Sequence, residues 1–213
     1  MRRPVLYVLA GVNGAGKSSI GGHLLERAGL TWFNPDAFAR QLMTAAGCDQ
    51  QEANAHAWHE GMRRLADAMA NGLNYAFETT LGGETVTSRI VEASKSHDVL
   101  IWFCGLSSPE LHIARVKARV AAGGHPIPEE KIRGRYPLAQ MNLIRLMSHA
   151  AYIKVYDNST EASADGTIPD PTLVLEMEYG RVITPAADDV RALQSAPEWA
   201  KPIVEAALRS RHR

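Results

Sequence analysis

The stretch Gly-Val-Asn-Gly-Ala-Gly-Lys-Ser at residues 11–18 constrains the fold of this chain more than any other feature. It matches the pattern Gly-x-x-x-x-Gly-Lys-Ser and lies between an apolar run at 5–11 and a segment with helical spacing at 17–28. Its glycines let the backbone turn tightly and point N–H groups at phosphate oxygens, and the helix that follows adds the positive end of its dipole. The pattern therefore predicts a strand, a phosphate-binding loop and a helix in succession.

Two side chains of this loop have predicted roles beside the backbone. Lys17 would reach the β- and γ-phosphates of a bound nucleotide, and the hydroxyl of Ser18 would coordinate Mg²⁺. A chance glycine turn is the alternative, which the flanking strand and helix disfavour. The residues predicted to bind the nucleotide are Gly11, Asn13, Gly14, Ala15, Gly16, Lys17, Ser18 and Ser19.

Apolar runs and helical segments alternate over most of the chain. The runs at 5–11 and 99–106 are continuously apolar, as parallel strands buried on both faces would be. Three further strands are predicted at 31–36, 74–80 and 151–159, and helices are predicted between the strands, including 52–71, which ends before Gly72, 84–96 and 109–121. This alternation predicts an α/β/α fold with three layers around a mainly parallel five-stranded sheet.

The C-terminal part has a different pattern. Residues 172–185 are typical of a β-hairpin that turns near Tyr179-Gly180, and the remainder is typical of helix interrupted near Pro197 and Pro202. The chain has 213 residues and no internal repeats, so we expect one domain over residues 1–213.

Charge and cysteine content limit the partners and the compartment. Lys plus Arg and Asp plus Glu both number 23, which argues against a broad face for nucleic acid or membrane, because such partners favour strongly basic surfaces. No apolar stretch approaches the ~18 residues of a membrane span, and the N-terminal run is interpreted as a strand. Cys48 and Cys104 lie far apart, outside metal-ligand spacing. We expect a cytoplasmic protein that does not bind membranes.

Polar residues follow two of the predicted strands, where ligands of parallel sheets bind. Asp36 is either a helix N-cap or a general base that activates an acceptor hydroxyl. At the end of the run at 74–80, Glu78 is suited to Mg²⁺ coordination or acceptor binding, and Thr79 and Thr80 to substrate binding. The alternative is that these three residues only cap the strand and its turn.

The segment 109–145 carries five arginines around a break at Gly123-Gly124. It is either a solvated basic face or a lid whose arginines stabilise the charge on a transferring phosphoryl group. The glycine break favours the lid. Within it we expect Arg119 and Arg135 to contact the phosphoryl group, and Arg133 to assist in substrate binding.

The motifs GVNGAGKSS, FNPD, FETTL, RVAAGGHPIPEEKIRGRY and VYDNS together resemble the zeta-toxin-like P-loop kinases, over roughly residues 4–160. The resemblance implies an α/β/α kinase fold and the use of ATP and Mg²⁺ to phosphorylate a sugar hydroxyl of UDP-N-acetylglucosamine. It also implies a partner antitoxin that blocks the ATP site. Lys17 and Ser18 then look like phosphate and Mg²⁺ ligands, and Asn158 falls where related kinases place the loop that contacts adenine.

On the acceptor side the resemblance assigns the remaining motifs. Asp36 looks like the carboxylate that activates the acceptor, Glu78 and Thr80 like a substrate-binding pair, and Arg119 and Arg135 like the arginines that clamp the phosphate.

Two positions and the substrate class stay open. Glu60 does not align with the substrate-binding acid of the toxins, and His125 is either a hinge, a contact residue or neither. The chain is also shorter than the full toxins, so the resemblance implies the kinase chemistry more directly than it implies a sugar nucleotide as the substrate. The alternatives are a nucleotide-binding regulatory module with little transfer and a 5′-hydroxyl kinase acting on nucleic acid, which the few aromatics of the lid disfavour.

Overall fold

The computed structural model describes residues 3–18, 21, 25, 31–160, 169–186 and 188–209. Six strands lie within these ranges: β1 (Val5–Ala10), β2 (Tyr75–Thr79), β3 (Asp98–Gly105), β4 (Tyr152–Asp157), β5 (Thr172–Glu178) and β6 (Arg181–Thr184). They form one sheet in the order β2-β1-β3-β4-β5-β6. The first four in this order are parallel, and β5 and β6 are antiparallel to their neighbours. The predicted α/β class with a mainly parallel sheet is confirmed.

Seven helices are assigned in the described ranges: α1 (Pro35–Ala46), α2 (Gln50–Asn71), α3 (Glu84–Ala93), α4 (Pro109–Ala121), α5 (Glu129–Leu146), α6 (Val190–Ser195) and α7 (Lys201–Arg209). As expected, α2 ends at the left-handed Gly72. Of the helix expected at 17–28, Lys17 and Ser18 are helical, and most of the rest, with Ser19, lies outside the described residues. None of the helices described is both long and apolar enough to cross a lipid bilayer.

Residues 31–36 do not form the predicted strand. Only Phe33 pairs with β2, through hydrogen bonds from its N–H to the carbonyl of Ala76 (2.8 Å) and from the N–H of Glu78 to its own carbonyl (2.9 Å). The pairing stops there because Asn34 caps α1 and Pro35 begins it. The parallel part of the sheet therefore has four strands instead of the expected five, and Phe33 forms a single bridge at its edge.

The C-terminal hairpin is present and extends the sheet beyond β4 rather than standing apart from it. The expected helix break occurs at Pro197, which lies between α6 and α7. A break at Pro202 is wrong, because this proline occupies the first turn of α7, where the missing N–H costs no helical hydrogen bond.

Alternate residues of β1 point to opposite faces of the sheet. Leu6 and Val8 belong to the larger core, which includes buried residues of α3, α4, α5 and α7. Leu9 packs in a smaller core with Leu25 and Ala76 on the other face. With both faces covered, the carboxyl ends of the parallel strands are the accessible part of the sheet, and they carry the phosphate loop.

Candidate functional site

The loop at 11–18 is pressed against its neighbours at two glycines. Gly11 and Gly14 have φ angles of 137° and 86°. A Cβ at Gly11 would lie 2.2 Å from the carbonyl oxygen of Cys104 in β3, and one at Gly14 would lie 2.8 Å from the carbonyl oxygen of His112 in α4. Both distances are too short for a side chain. The loop therefore takes its shape from glycines and from close backbone packing against β3 and α4.

Two side chains from distant parts of the chain hold this loop. The Nδ1 of His112 lies 2.9 Å from the carbonyl oxygen of Asn13, and the Nδ2 of Asn158 donates to the carbonyl of Ala15 at 3.0 Å. Burial lowers the pKa of His112 to about 4, so the imidazole is neutral at pH 7 and donates through Nδ1. Asn158 thus lies beside the phosphate loop, whereas its contact with adenine stays a prediction.

The side chains of Lys17 and Ser18, at the end of the loop, both contact Glu78 of β2. The Nζ of Lys17 is 3.4 Å from Oε1 of Glu78, and the hydroxyl of Ser18 donates to Oε2 at 2.8 Å. Asn34 also donates to Oε2, at 2.9 Å, while its own Oδ1 caps α1 by accepting from the N–H of Ala37. Asn34 was missed by the sequence analysis, although an Asn followed by Pro and a helical pattern is an N-cap signal.

Ser18 and Glu78 form a donor set suited to magnesium. Mg²⁺ prefers oxygen ligands and is usually held by one or two protein groups together with substrate phosphates and water. The hydroxyl and the carboxylate are 2.8 Å apart, and the Nζ of Lys17 lies 3.4 Å from the other carboxylate oxygen. These two residues are therefore the ones that would hold Mg²⁺ beside a nucleotide.

Asp36 is the second residue of α1 and is not its N-cap, because Asn34 occupies that position. The N-cap alternative for Asp36 is therefore wrong. Its side chain is 32% exposed, and its Oδ2 lies 3.7 Å from the Nε2 of His125. The carboxylate is thus free of any capping hydrogen bond and is available to a ligand.

A cavity of about 520 Å³ opens next to the phosphate loop. Residues predicted for the site from four separate parts of the sequence line it together: Asn13, Lys17, Asp36, Glu78, Thr79, Thr80 and Arg135. The hydroxyls of Thr79 and Thr80 each accept a backbone N–H of the following turn, at 3.0 and 3.5 Å. The structure therefore brings the phosphate loop and the expected acceptor residues to a single cavity.

One side of this cavity comes from α2 and was not predicted. Asn54, Trp58 and Met62 follow helical spacing and line the cavity, and Lys131 of α5 also lines it. Glu60 lies outside the cavity, where Arg63 (2.8 Å) and Arg64 hold the pKa of its carboxyl at about 2.

The three predicted arginines have different surroundings. Arg135 lines the cavity and donates to Oδ1 of Asn13 at 2.8 Å. Arg119 lies outside the cavity, and its guanidinium donates to the carbonyl of His125 at 3.4 Å. Arg133 is half-exposed and pairs with Glu110 at 2.6 Å. Arg133 is not among the residues that line the cavity, so its role in substrate binding stays a prediction.

Comparison with known proteins gives one family and several similar chains. The family described as the AAA domain matches residues 6–134. A protein of Haemophilus influenzae whose function is uncharacterized is 27% identical over 127 residues, which cover 59% of this chain and 88% of that protein.

Three solved structures are similar in fold. A candidate kinase from Chloroflexus aurantiacus has a TM-score of 0.53 at 20% identity and covers 63% of this chain and 78% of its own. The AvrRxo1-ORF1:-ORF2 complex with ATP has a TM-score of 0.65 at 15% identity, covering 93% and 64%. The PezAT toxin–antitoxin system of Streptococcus pneumoniae has a TM-score of 0.55 at 17% identity, covering 80% and 72%. At these identities the likeness is one of fold, namely a kinase-like P-loop fold.

Proposed function

This chain belongs to the AAA domain family, and we propose that it is an ATP-dependent phosphotransferase that moves the γ-phosphate to a hydroxyl of a small molecule. One observation carries the proposal: the phosphate loop and Asp36 open onto the same cavity. A hydrolase needs only a water beside the phosphate, whereas transfer needs an acceptor site with its own base. The cavity supplies space for that acceptor.

The donor half consists of the loop at 11–18 and its two polar side chains. Backbone N–H groups hold the phosphates, and Lys17 leaves Glu78 to reach the β- and γ-phosphates. Ser18 and Glu78 would hold Mg²⁺, which would neutralise phosphate charge. The ATP present in the AvrRxo1-ORF1:-ORF2 structure supports ATP as the nucleotide for this fold.

In the acceptor half, Asp36 orients the hydroxyl and takes its proton as the oxygen attacks the γ-phosphorus. The bond between the γ-phosphorus and the β,γ-bridging oxygen breaks, and ADP leaves. Arg135, which already contacts the phosphate loop through Asn13, stabilises the charge on the transferring group. Thr79 and Thr80 hold the acceptor beside Asp36. Arg119 takes part only if the lid segment moves, which stays a prediction.

The cavity lining favours an organic acceptor with a ring and a negative group. Trp58 is 45% exposed and offers an aromatic face, and Lys131 is a cation that lines the cavity and has no ion pair with an acidic side chain among the described residues. A nucleotide sugar such as UDP-N-acetylglucosamine has both features. The complexes of PezAT and of AvrRxo1-ORF1 with ORF2 support a partner protein, which we propose to be an antitoxin.

The substitution Asp36→Asn tests the proposal. The variant is expected to bind Mg·ATP with unchanged affinity in calorimetry, and to lose transfer by about 10²-fold or more, because general base catalysis contributes about 10²–10⁴-fold. Transfer is measured by mass spectrometry of products from Mg·ATP with a panel of nucleotide sugars and a metabolite extract. Asp67→Asn, on the exposed side of α2, is the matched control.

Two outcomes would overturn parts of the proposal. Unchanged turnover in a folded Asp36→Asn variant would remove Asp36 from the mechanism. Tight ATP binding by the unaltered protein, with no phosphorylated product from any acceptor, would favour the nucleotide-binding module instead.

A further inference from the structure

His125 is carried to Asp36 by a tight turn after α4. Gly123 has a φ angle of 89°, and the N–H of Gly124 donates to the carbonyl of Arg119 at 2.9 Å. A Cβ at Gly124 would lie 2.8 Å from Cγ of Arg119, so the turn closes directly onto this arginine. The glycine pair therefore folds the chain back and brings His125 against the start of α1.

The imidazole of His125 is held in a buried position. Its side chain is only 9% exposed, and the guanidinium of Arg119 donates to its backbone carbonyl at 3.4 Å. The Nε2 lies 3.7 Å from Oδ2 of Asp36, whereas Nδ1 is buried without a hydrogen-bond partner among the described residues. The ring thus has one nitrogen that faces a carboxylate and one that has no hydrogen-bond partner among the described residues.

This asymmetry decides where the proton of a neutral ring lies. A proton on Nδ1 would be a buried donor without an acceptor, which costs about 1–3 kcal/mol. A proton on Nε2 points towards the carboxylate of Asp36. Burial is the largest influence on the pKa of His125 and lowers it. Of the charged groups around the ring, Asp36 raises this pKa, and Arg119 and Arg40 lower it, so that the pKa is lowered overall. His125 is therefore neutral at pH 7.

We propose that His125 is a positioning residue for Asp36, with its Nε2–H donating to Oδ2 so that Oδ1 is directed at the acceptor hydroxyl. This inference rests on the proposed role of Asp36 as the base. The present separation of 3.7 Å is longer than a hydrogen bond, and such contacts commonly shorten when substrate binds. A base whose orientation is held by a third group is a recurrent arrangement, and loss of orientation lowers the rate.

The first experiment needs no acceptor. Long-range ¹H–¹⁵N correlation spectra of the full chain report the tautomer of each histidine, and a pH titration reports its pKa. We expect the Nε2–H tautomer for His125, and a further fall of its pKa in the Asp36→Asn variant, because the carboxylate that raises it is removed. An Nδ1–H tautomer, or a pKa that Asp36→Asn leaves unchanged, would overturn the inference.

The second experiment separates positioning from a structural role. The side-chain amide nitrogen of Gln can occupy about the position of the Nε2 of His, so H125Q should keep at least a third of kcat. In contrast, H125L should lower kcat by about 10–100-fold and leave KM for ATP unchanged. H125L should have no further effect in the Asp36→Asn background. H149L, at an exposed histidine after α5, is the control.

The outcomes distinguish this inference from the proposed function. A fully transfer-active Asp36→Asn variant would overturn the role of Asp36 as the base, and with it the positioning role of His125, but not the phosphotransferase function, which only the absence of any phosphorylated product would overturn. An inactive Asp36→Asn variant together with a fully active H125L variant would overturn only the positioning role. Equal losses in H125Q and H125L, with equal loss of thermal stability, would identify His125 as structural and also overturn it.

Discussion

The buried pair of Lys17 and Glu78 gives the sharpest prediction for the free protein. The two side chains are 7% and 9% exposed, and their charged atoms are 3.4 Å apart. At an effective dielectric constant of about 20, unit charges at this distance attract by about 5 kcal/mol. The desolvation of the lysine offsets part of this attraction. The substitution K17M removes the cation and leaves a buried carboxylate.

The expected cost of K17M follows from the contacts that remain. Breaking a buried pair costs about 3–5 kcal/mol when one charge is left without its partner. Because Ser18 and Asn34 still donate to Oε2 of Glu78, we expect the lower end, about 3 kcal/mol. For a chain of this size that corresponds to a fall in Tm of about 6–12 °C.

Urea unfolding and thermal melting without nucleotide provide the assay. The double variant K17M/E78Q should recover at least half of the loss, because no buried charge then remains. R89M, which breaks the exposed pair of Arg89 with Glu92, should cost less than about 1 kcal/mol. If K17M/E78Q is no more stable than K17M, the two residues are not energetically coupled and the reasoning fails.

Two further predictions concern the surroundings of the phosphate loop. G11A should destabilise the fold by more than about 3 kcal/mol in urea unfolding, because its Cβ would lie 2.2 Å from the carbonyl oxygen of Cys104. The control G134A, at an exposed helical position with open space around it, should stabilise the fold by about 0.5–1 kcal/mol. A G11A variant as stable as the unaltered protein would contradict the loop geometry. The lowered pKa of His112 means that the unfolded chain binds its proton first, so stability is lost as pH falls from about 6.5 towards 4, by about 2 kcal/mol between pH 7 and 5. H112N should keep the hydrogen bond to Asn13 and lose less stability over this range, and identical pH profiles would show that His112 does not cause the loss.

Local sequence patterns predicted the elements that depend on neighbouring residues. The loop, most helices and the C-terminal hairpin follow from glycine placement and from periodicity, which act over a few residues. The strand at 31–36 failed because the apolar run there competes with an N-cap and a proline that start α1 early. A local pattern contains both signals, and only packing decides between them.

The acceptor side of the cavity shows the limit of sequence reasoning more clearly. Asn54, Trp58 and Met62 lie on the face of α2 that looks into the cavity, whereas Glu60 lies on another face. Helical spacing separates these two faces but does not tell which one meets the site. For the same reason Arg133 and Arg135, two residues apart, lie on different sides of α5.

The sequence by itself determined the phosphate loop, the alternation of strands and helices, and the carboxylate of Glu78 at the end of β2, because each depends on residue type and short-range spacing. Only the tertiary structure decided that Asn34 joins Ser18 at Glu78, that His112 holds the loop, and that His125 lies against Asp36. These contacts join residues up to about a hundred positions apart. Their geometry depends on how parallel strands align and how buried polar groups find partners, which no local pattern encodes.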